Sequence, residues 1–191
     1  MTERLATSLS EKNNHMTEVI IDIESWDATL GFQILHHRPL PCERPDVRLL
    51  LPRLRDVLAE PVSGTAVLRE GIGVGDVRMR KFAMVLVDAG LKVVWAESTA
   101  RRSGMAVTRD VVDDVTAHIL RNCRAGTIIA GTHDHYAAEA LKEQKIHGAR
   151  VGILGFAEFI SDRSAQVADF ILDVEYDLGV FNRPLPRVQP F

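Results

Sequence analysis

The chain has 191 residues, 46% of them apolar and 26% charged, with a formal net charge of −3. That length supports one domain with a substantial core and is short for two. Near-neutral charge excludes a polycation built to coat nucleic acid, so an anionic partner must meet a local basic patch.

Cys42 and Cys123 stand far apart without metal-ligand spacing, which points to free thiols in a reducing compartment. No apolar run approaches the roughly 20 residues that cross a bilayer. The polar opening "MTERLATSLSEKNNH" lacks the apolar segment of a signal peptide. The expectation is a cytoplasmic protein with no membrane partner.

Residues 1–17 carry too few apolar groups to pack and read as a leader. "EVIIDIES" (18–25) holds a short continuous apolar run ending in Asp22, the pattern of a strand buried on both faces. Residues 30–45 end in three prolines and read as a loop after at most a short helix. Val47, Leu50, Leu51, Leu54, Val57 and Leu58 recur at helical spacing, with Pro52 calling for a kink or a helix start. Strands follow at 64–71, 91–99, 127–132 and 150–156, with a sixth from "ILDVEYD". Helices are expected over 76–90, 108–126, 134–149 and 161–171, the first with Gly90 as its C-cap. The proline-rich segment 179–191 is expected to be an extended tail, and its Phe181 and Phe191 make it a candidate arm for a homodimer. Strand and helix alternate throughout, which predicts one α/β domain over 18–178. Its architecture is a Rossmann-like three-layer sandwich with a mostly parallel central sheet.

In an open α/β sheet, ligands bind beyond the carboxyl ends of the strands. The first strand ends in Asp22, followed by Glu24 and Ser25, and the fourth presents Thr132, His133 and Asp134. The helix after the third strand carries Asp110, Asp113 and Asp114 in its first turns. Packed carboxylates raise one another's pKa unless a cation neutralises them, and an oxygen-only set suits Mg²⁺ or Mn²⁺ better than zinc. Two other readings compete. "GIGVGD" (71–76) sits between a strand and a helix but misses G-x-G-x-x-G spacing, and so reads as a turn. His133 and His135 form an H-x-H pair with no third zinc ligand at useful spacing.

Three segments resemble the NYN domain, a branch of the PIN-like metal-dependent nucleases. "VIIDIESW" (19–26) is similar to that family's first strand and its D-G-E/D-N continuation. "DDVTAHIL" (113–120) is similar to its helix start. "IIAGTHDHYAAEALKEQKIHGARVGILGF" (128–156) is similar to its S-G-D-S-D-F motif with the following helix and strand. Ile23 stands where glycine is usual, Ser25 where asparagine is, Thr132 at the first motif aspartate, and His135 at the aromatic. The resemblance implies a PIN-like fold and a Mg²⁺- or Mn²⁺-dependent nuclease acting on RNA. It implies Asp22, Asp114 and Asp134 as catalytic metal-site acids, with Asp113 and Glu24 as further acids. Asp114 is preferred to Asp113 because it precedes "VT" and shares a helical stripe with Val111 and His118. Ser25, Thr132 and His133 would lie beside the substrate. Arg78, Arg80, Arg101 and Arg102 would hold its phosphate backbone without reading sequence. The alternative is a PIN-like module that has lost catalysis and binds RNA or protein.

Overall fold

Val19, Ile20 and Ile21 are completely buried in a strand that has neighbours on both sides. In the computed structural model, which describes residues 16–70, 74–96 and 109–187, this is β1 (Thr17–Asp22). It pairs in parallel with β2 (Val62–Arg69) and β4 (Thr127–Gly131). With β3 (Lys92–Ala96), β5 (Arg150–Gly155) and β6 (Phe170–Asp173) the sheet has six strands in the order β3-β2-β1-β4-β5-β6, and every pairing is parallel. Residues 97–99, expected in the third strand, lie outside the described residues, as does the leader up to residue 15.

Alternation along β1 sends Val19 and Ile21 to one face and Ile20 to the other. On the first face lie α1 (Ile23–Ala28), which runs into a π-helical stretch at Thr29–Leu35, then α2 (Val47–Leu58) and α3 (Val74–Asp88). Trp26, Leu30, Leu50, Leu54 and Leu86 fill the space between these helices and the sheet. On the second face α4 (Arg109–Asn122), α5 (Ala137–Ile146) and α6 (Asp162–Val167) press Val112, Leu120 and Leu141 against Ile20, Ile128 and Ile153. The result is the expected three-layer, Rossmann-like α/β sandwich. Among the described residues no helix is long and apolar enough to cross a membrane.

Local features decide where the elements begin and end. The Asp22 carboxylate caps α1 by accepting the Ser25 N–H at 3.0 Å, so a helix starts at once where a polar strand end was expected. Pro52 lies inside α2 without ending it. The Asp46 cap and the buried face of Val47, Leu50, Leu51 and Leu54 offset the one hydrogen bond a proline removes. Gly90 ends α3 with φ of 87°, as a C-cap glycine does. The segment after β6 packs on its own domain, which corrects the expectation of an extended tail. Val180 and Leu185 are buried in the first-face core, and the Phe181 ring lies 6.0 Å from that of Phe156. Arg187 closes the segment down: its fully enclosed guanidinium meets Asp173 at 2.5 Å and Glu175 at 2.9 Å, and also pairs with Glu158. Phe191 lies outside the described residues.

Candidate active site at the sheet switch point

β1 and β4 are neighbours whose outgoing connections cover opposite faces, so their carboxyl ends mark the switch point of the sheet, the usual ligand position in this architecture. The register Ile21↔Gly131 brings Asp22 and the turn Thr132-His133-Asp134 to the same edge. α5 begins at Ala137, three residues later than expected, because this turn precedes it.

Ser25 ties the two strand ends together. Its hydroxyl donates to Asp134 Oδ2 at 3.0 Å, while accepting from the His133 N–H at 3.1 Å and from the Thr132 hydroxyl at 3.2 Å. Thr132 Oγ1 in turn accepts the Asp134 N–H at 3.3 Å. Asp22 is fully buried and accepts the phenolic hydroxyl of Tyr136 at 2.9 Å. Burial, reinforced by the charge of Asp22, pushes the Tyr136 hydroxyl well above its usual pKa, so it stays a donor.

At the centre stands Arg109, the first residue of α4. Its Nη2 lies 2.5 Å from Asp22 Oδ2 and 2.6 Å from Asp134 Oδ2, its Nε lies 3.0 Å from Asp113 Oδ1, and its Nη1 lies 3.8 Å from Glu24. Burial works against the guanidinium charge, but Asp22, Asp113 and Asp134 outweigh it and hold the Arg109 pKa above the ordinary arginine value. Asp113 is raised to about 6 by burial and by the negative charges of Asp22, Asp134 and Asp110, against the pull of Arg109. Arg69 adds a second cation at the rim, 2.7 Å from Glu24.

His133 serves the scaffold. Its Nε2 accepts the Phe156 N–H at 2.8 Å, which fixes a neutral ring carrying its proton on Nδ1, within 3.1 Å of the Thr29 hydroxyl. The ring stacks on Phe156 at 5.4 Å, and burial lowers its pKa to about 4 against the opposing charge of Asp134. Gly155 makes the room, since a Cβ there would stand 2.7 Å from His133 Nε2. His135 is exposed, so the H-x-H pair does not converge on one point.

Of the expected site residues, Asp22, Glu24, Ser25, Asp113, Thr132, His133 and Asp134 come together. Asp114 does not: it is exposed on α4. The buried stripe of that helix is Val112, Thr116, Ala117 and Leu120, and Asp113 sits four residues after Arg109 on the edge that meets the site. The preference for Asp114 over Asp113 is thereby corrected. Arg78 and Arg80 are exposed on the first turns of α3, which leave the same edge of the sheet, whereas Arg101, Arg102 and Gly71–Gly73 lie outside the described residues. Arg109 and Tyr136 went unrecognised in the sequence. The i,i+4 spacing of Arg109 to Asp113 was the available signal for the first.

The donor chemistry suits a divalent cation. Glu24 Oε2 and Asp113 Oδ1 are buried in the cluster without an aligned hydrogen-bond donor, and every candidate ligand is an oxygen. The spacing is that of a guanidinium, however. No group of three or more His, Cys, Asp or Glu side chains among the described residues is arranged to hold a metal ion.

No protein-family model matches the sequence, and no curated protein matches it. Among solved structures, the chain is similar to a protein of unknown function from Vibrio parahaemolyticus. The TM-score is 0.62 at 15% identity, over 87% of this chain and 96% of the other. That likeness is one of fold.

Proposed function

We propose that this protein is a Mg²⁺- or Mn²⁺-dependent nuclease of the NYN, PIN-like kind, an endoribonuclease that hydrolyses phosphodiester bonds. The observation that carries the reading is the gathering of Asp22, Glu24, Asp113 and Asp134 around one guanidinium at the switch of the sheet. The three-segment resemblance to NYN domains supports it, and the fold is of the class that resemblance implies. Asp22, Asp113 and Asp134 would hold the cation, with Glu24 at its margin. When bound, a divalent ion at such a site activates water and offsets the charge that develops on the phosphate.

The chain's own groups supply position. Tyr136 fixes one oxygen of Asp22, and the α1 N-terminus fixes the other through the Ser25 N–H. Ser25 holds Asp134 against the turn after β4. Arg78 and Arg80, on the exposed side of α3, are suited to the phosphates of a bound strand, where they orient RNA without reading its bases.

The test is cleavage of RNA by the purified chain with Mn²⁺. Asp22→Asn and Asp134→Asn are expected to lose cleavage, and Asp114→Asn to keep it. Cleavage by Asp134→Asn at the rate of the unaltered chain would sink the assignment. A second reading, a binding module without catalysis, is favoured by one observation: Arg109 fills the space between the acids. Calorimetry separates the two, because the nuclease reading requires Mn²⁺ heat that Asp22→Asn abolishes.

A further inference from the structure

We infer that Arg109 is a resident counter-cation of the acidic site and that a divalent ion binds by displacing it. The inference rests on the metal-dependent reading above and assigns a control on that same site.

Charge comes first. Arg69 answers Glu24, which leaves Asp22, Asp113 and Asp134 around the single guanidinium of Arg109, an excess of two negative charges among the described residues. Among the described residues one arginine balances these three acids only in part, and a divalent ion in its place balances them better. Two cations cannot share the position. The guanidinium nitrogens stand 2.5–3.1 Å from the oxygens of Asp22, Asp113 and Asp134. Magnesium-sized ions hold oxygens at about 2.0–2.1 Å and need the same lone pairs.

Accessibility comes second. Asp22 is wholly enclosed, whereas the Arg109 side chain is 32% exposed. The guanidinium reaches the acids from the first residue of α4, so it can rotate towards water while the helix stays in place. The acids are differently fixed, Asp22 by Tyr136 and by its cap on α1, and Asp134 by Ser25. The cluster thus has fixed acids and one removable occupant, and a divalent ion would have to draw the acids in from their guanidinium spacing. Metal affinity is reduced by the fraction of molecules in which that occupant is seated. Once released, the guanidinium stands beside the acids, where it can pair with a phosphate oxygen of the substrate.

The experiment is calorimetric titration of Mn²⁺, without RNA, into the full chain and its Arg109→Gln and Arg109→Lys variants. The expected result is that Arg109→Gln binds Mn²⁺ about tenfold or more tightly than the unaltered chain, with Arg109→Lys between them. Affinity in Arg109→Gln that equals or falls below that of the unaltered chain overturns the exchange and leaves the nuclease reading standing. Absence of Mn²⁺ binding in all three proteins overturns both. Binding in Arg109→Gln alone supports the exchange and makes Arg109 a full block. A measurement on the unaltered chain covers the case in which the variants fail to fold. The Arg109 Nη–H protons, which donate to Asp22 and Asp134, should exchange with water faster at saturating Mg²⁺ in an NMR experiment. An exchange rate that Mg²⁺ leaves unchanged would overturn the proposal.

Discussion

Asp22 and Asp134 come from different strand ends, yet a single nitrogen of Arg109 lies 2.5 Å from the first carboxylate and 2.6 Å from the second. The proximity follows from topology. β1 and β4 are sequence-distant but adjacent in the sheet, and their register ends both at the same level. Side chains buried beneath this edge hold the two acids there, and their removal has measurable consequences.

Ser25 is the most connected of them. Ser25→Ala removes the acceptor of the His133 N–H and the donor to Asp134 in a buried setting. The expected cost is about 1–3 kcal/mol of folding stability from the unsatisfied groups. Mn²⁺ affinity is expected to fall about 10–100-fold, as when support of a metal ligand is lost. Denaturant unfolding and calorimetry check the two arms. A variant unchanged in both would show that Ser25 does not organise the turn.

His133 predicts a particular response to acid. Its folded pKa of about 4 lies below the ordinary 6.5, because burial disfavours the charged ring while Asp134, Glu158 and Asp173 oppose that effect. Below pH 6.5 the unfolded chain takes up a proton that the native ring refuses. The stability contributed by the neutral ring is therefore complete above pH 6.5 and declines as pH falls towards 4, by about 3 kcal/mol in total. Asp113 works in the opposite sense: raised to about 6, its carboxyl favours the native state as pH falls through that value. Comparing the unaltered chain with His133→Gln isolates the histidine. The variant should be the less stable at pH 7, and the gap should narrow by pH 4.5. A gap independent of pH would contradict a buried neutral ring.

The architecture was legible in the sequence because each strand announces itself locally. Val19-Ile20-Ile21 is apolar on consecutive positions, as only a strand covered on both faces needs to be. Gly90 closes α3 where its φ of 87° excludes most side chains. The site was legible in part, since Asp22 and Asp134 stand at strand ends whatever the details. Which carboxylate of α4 joins them depends on helical phase, and a phase taken from Val111 picks Asp114. The observed stripe of Val112, Thr116 and Leu120 instead leaves Asp113 beside Arg109. Arg109 offers in sequence only its i,i+4 spacing to Asp113. Its role arises only when three segments far apart in the chain converge on it. The same holds for Arg187, whose three carboxylate partners turn a proline-rich end into part of the domain.

Gly155 tests the packing behind the site. An alanine Cβ would stand 2.7 Å from His133 Nε2 and 3.1 Å from Cδ2, against a ring pinned by its stack on Phe156 and its bond to the Phe156 N–H. The ring must shift and lose that bond, so Gly155→Ala should cost about 1–3 kcal/mol. It should also disturb the adjacent Asp134, which weakens Mn²⁺ binding. Melting temperature reports the first effect and calorimetry the second. A variant as stable as the parent would mean that the ring is not held where it is described.

Arg187 tests how the segment after β6 is held. Its guanidinium faces Asp173, Glu158 and Glu175, and lies 4.6 Å from the centre of the Tyr176 ring and 5.0 Å from that of Phe156. Arg187→Met leaves the buried carboxylate of Asp173 without its cation, a loss of about 3–5 kcal/mol for a broken buried pair. Asp173 keeps the N–H groups of Ala157, Glu175 and Tyr176 as donors, which places the expected cost near the lower end. Asp173→Asn in the same chain should recover part of the loss, because the stranded charge is then gone, and a double-mutant cycle by denaturant unfolding measures the coupling. Truncation after Gly179 goes further, removing Val180, Phe181 and Leu185 from the first-face core along with the clasp. That chain should expose apolar surface over β5 and β6 and aggregate in light scattering. A truncated protein that stays soluble and melts with the full chain would show that the clasp and its apolar neighbours contribute nothing to the fold.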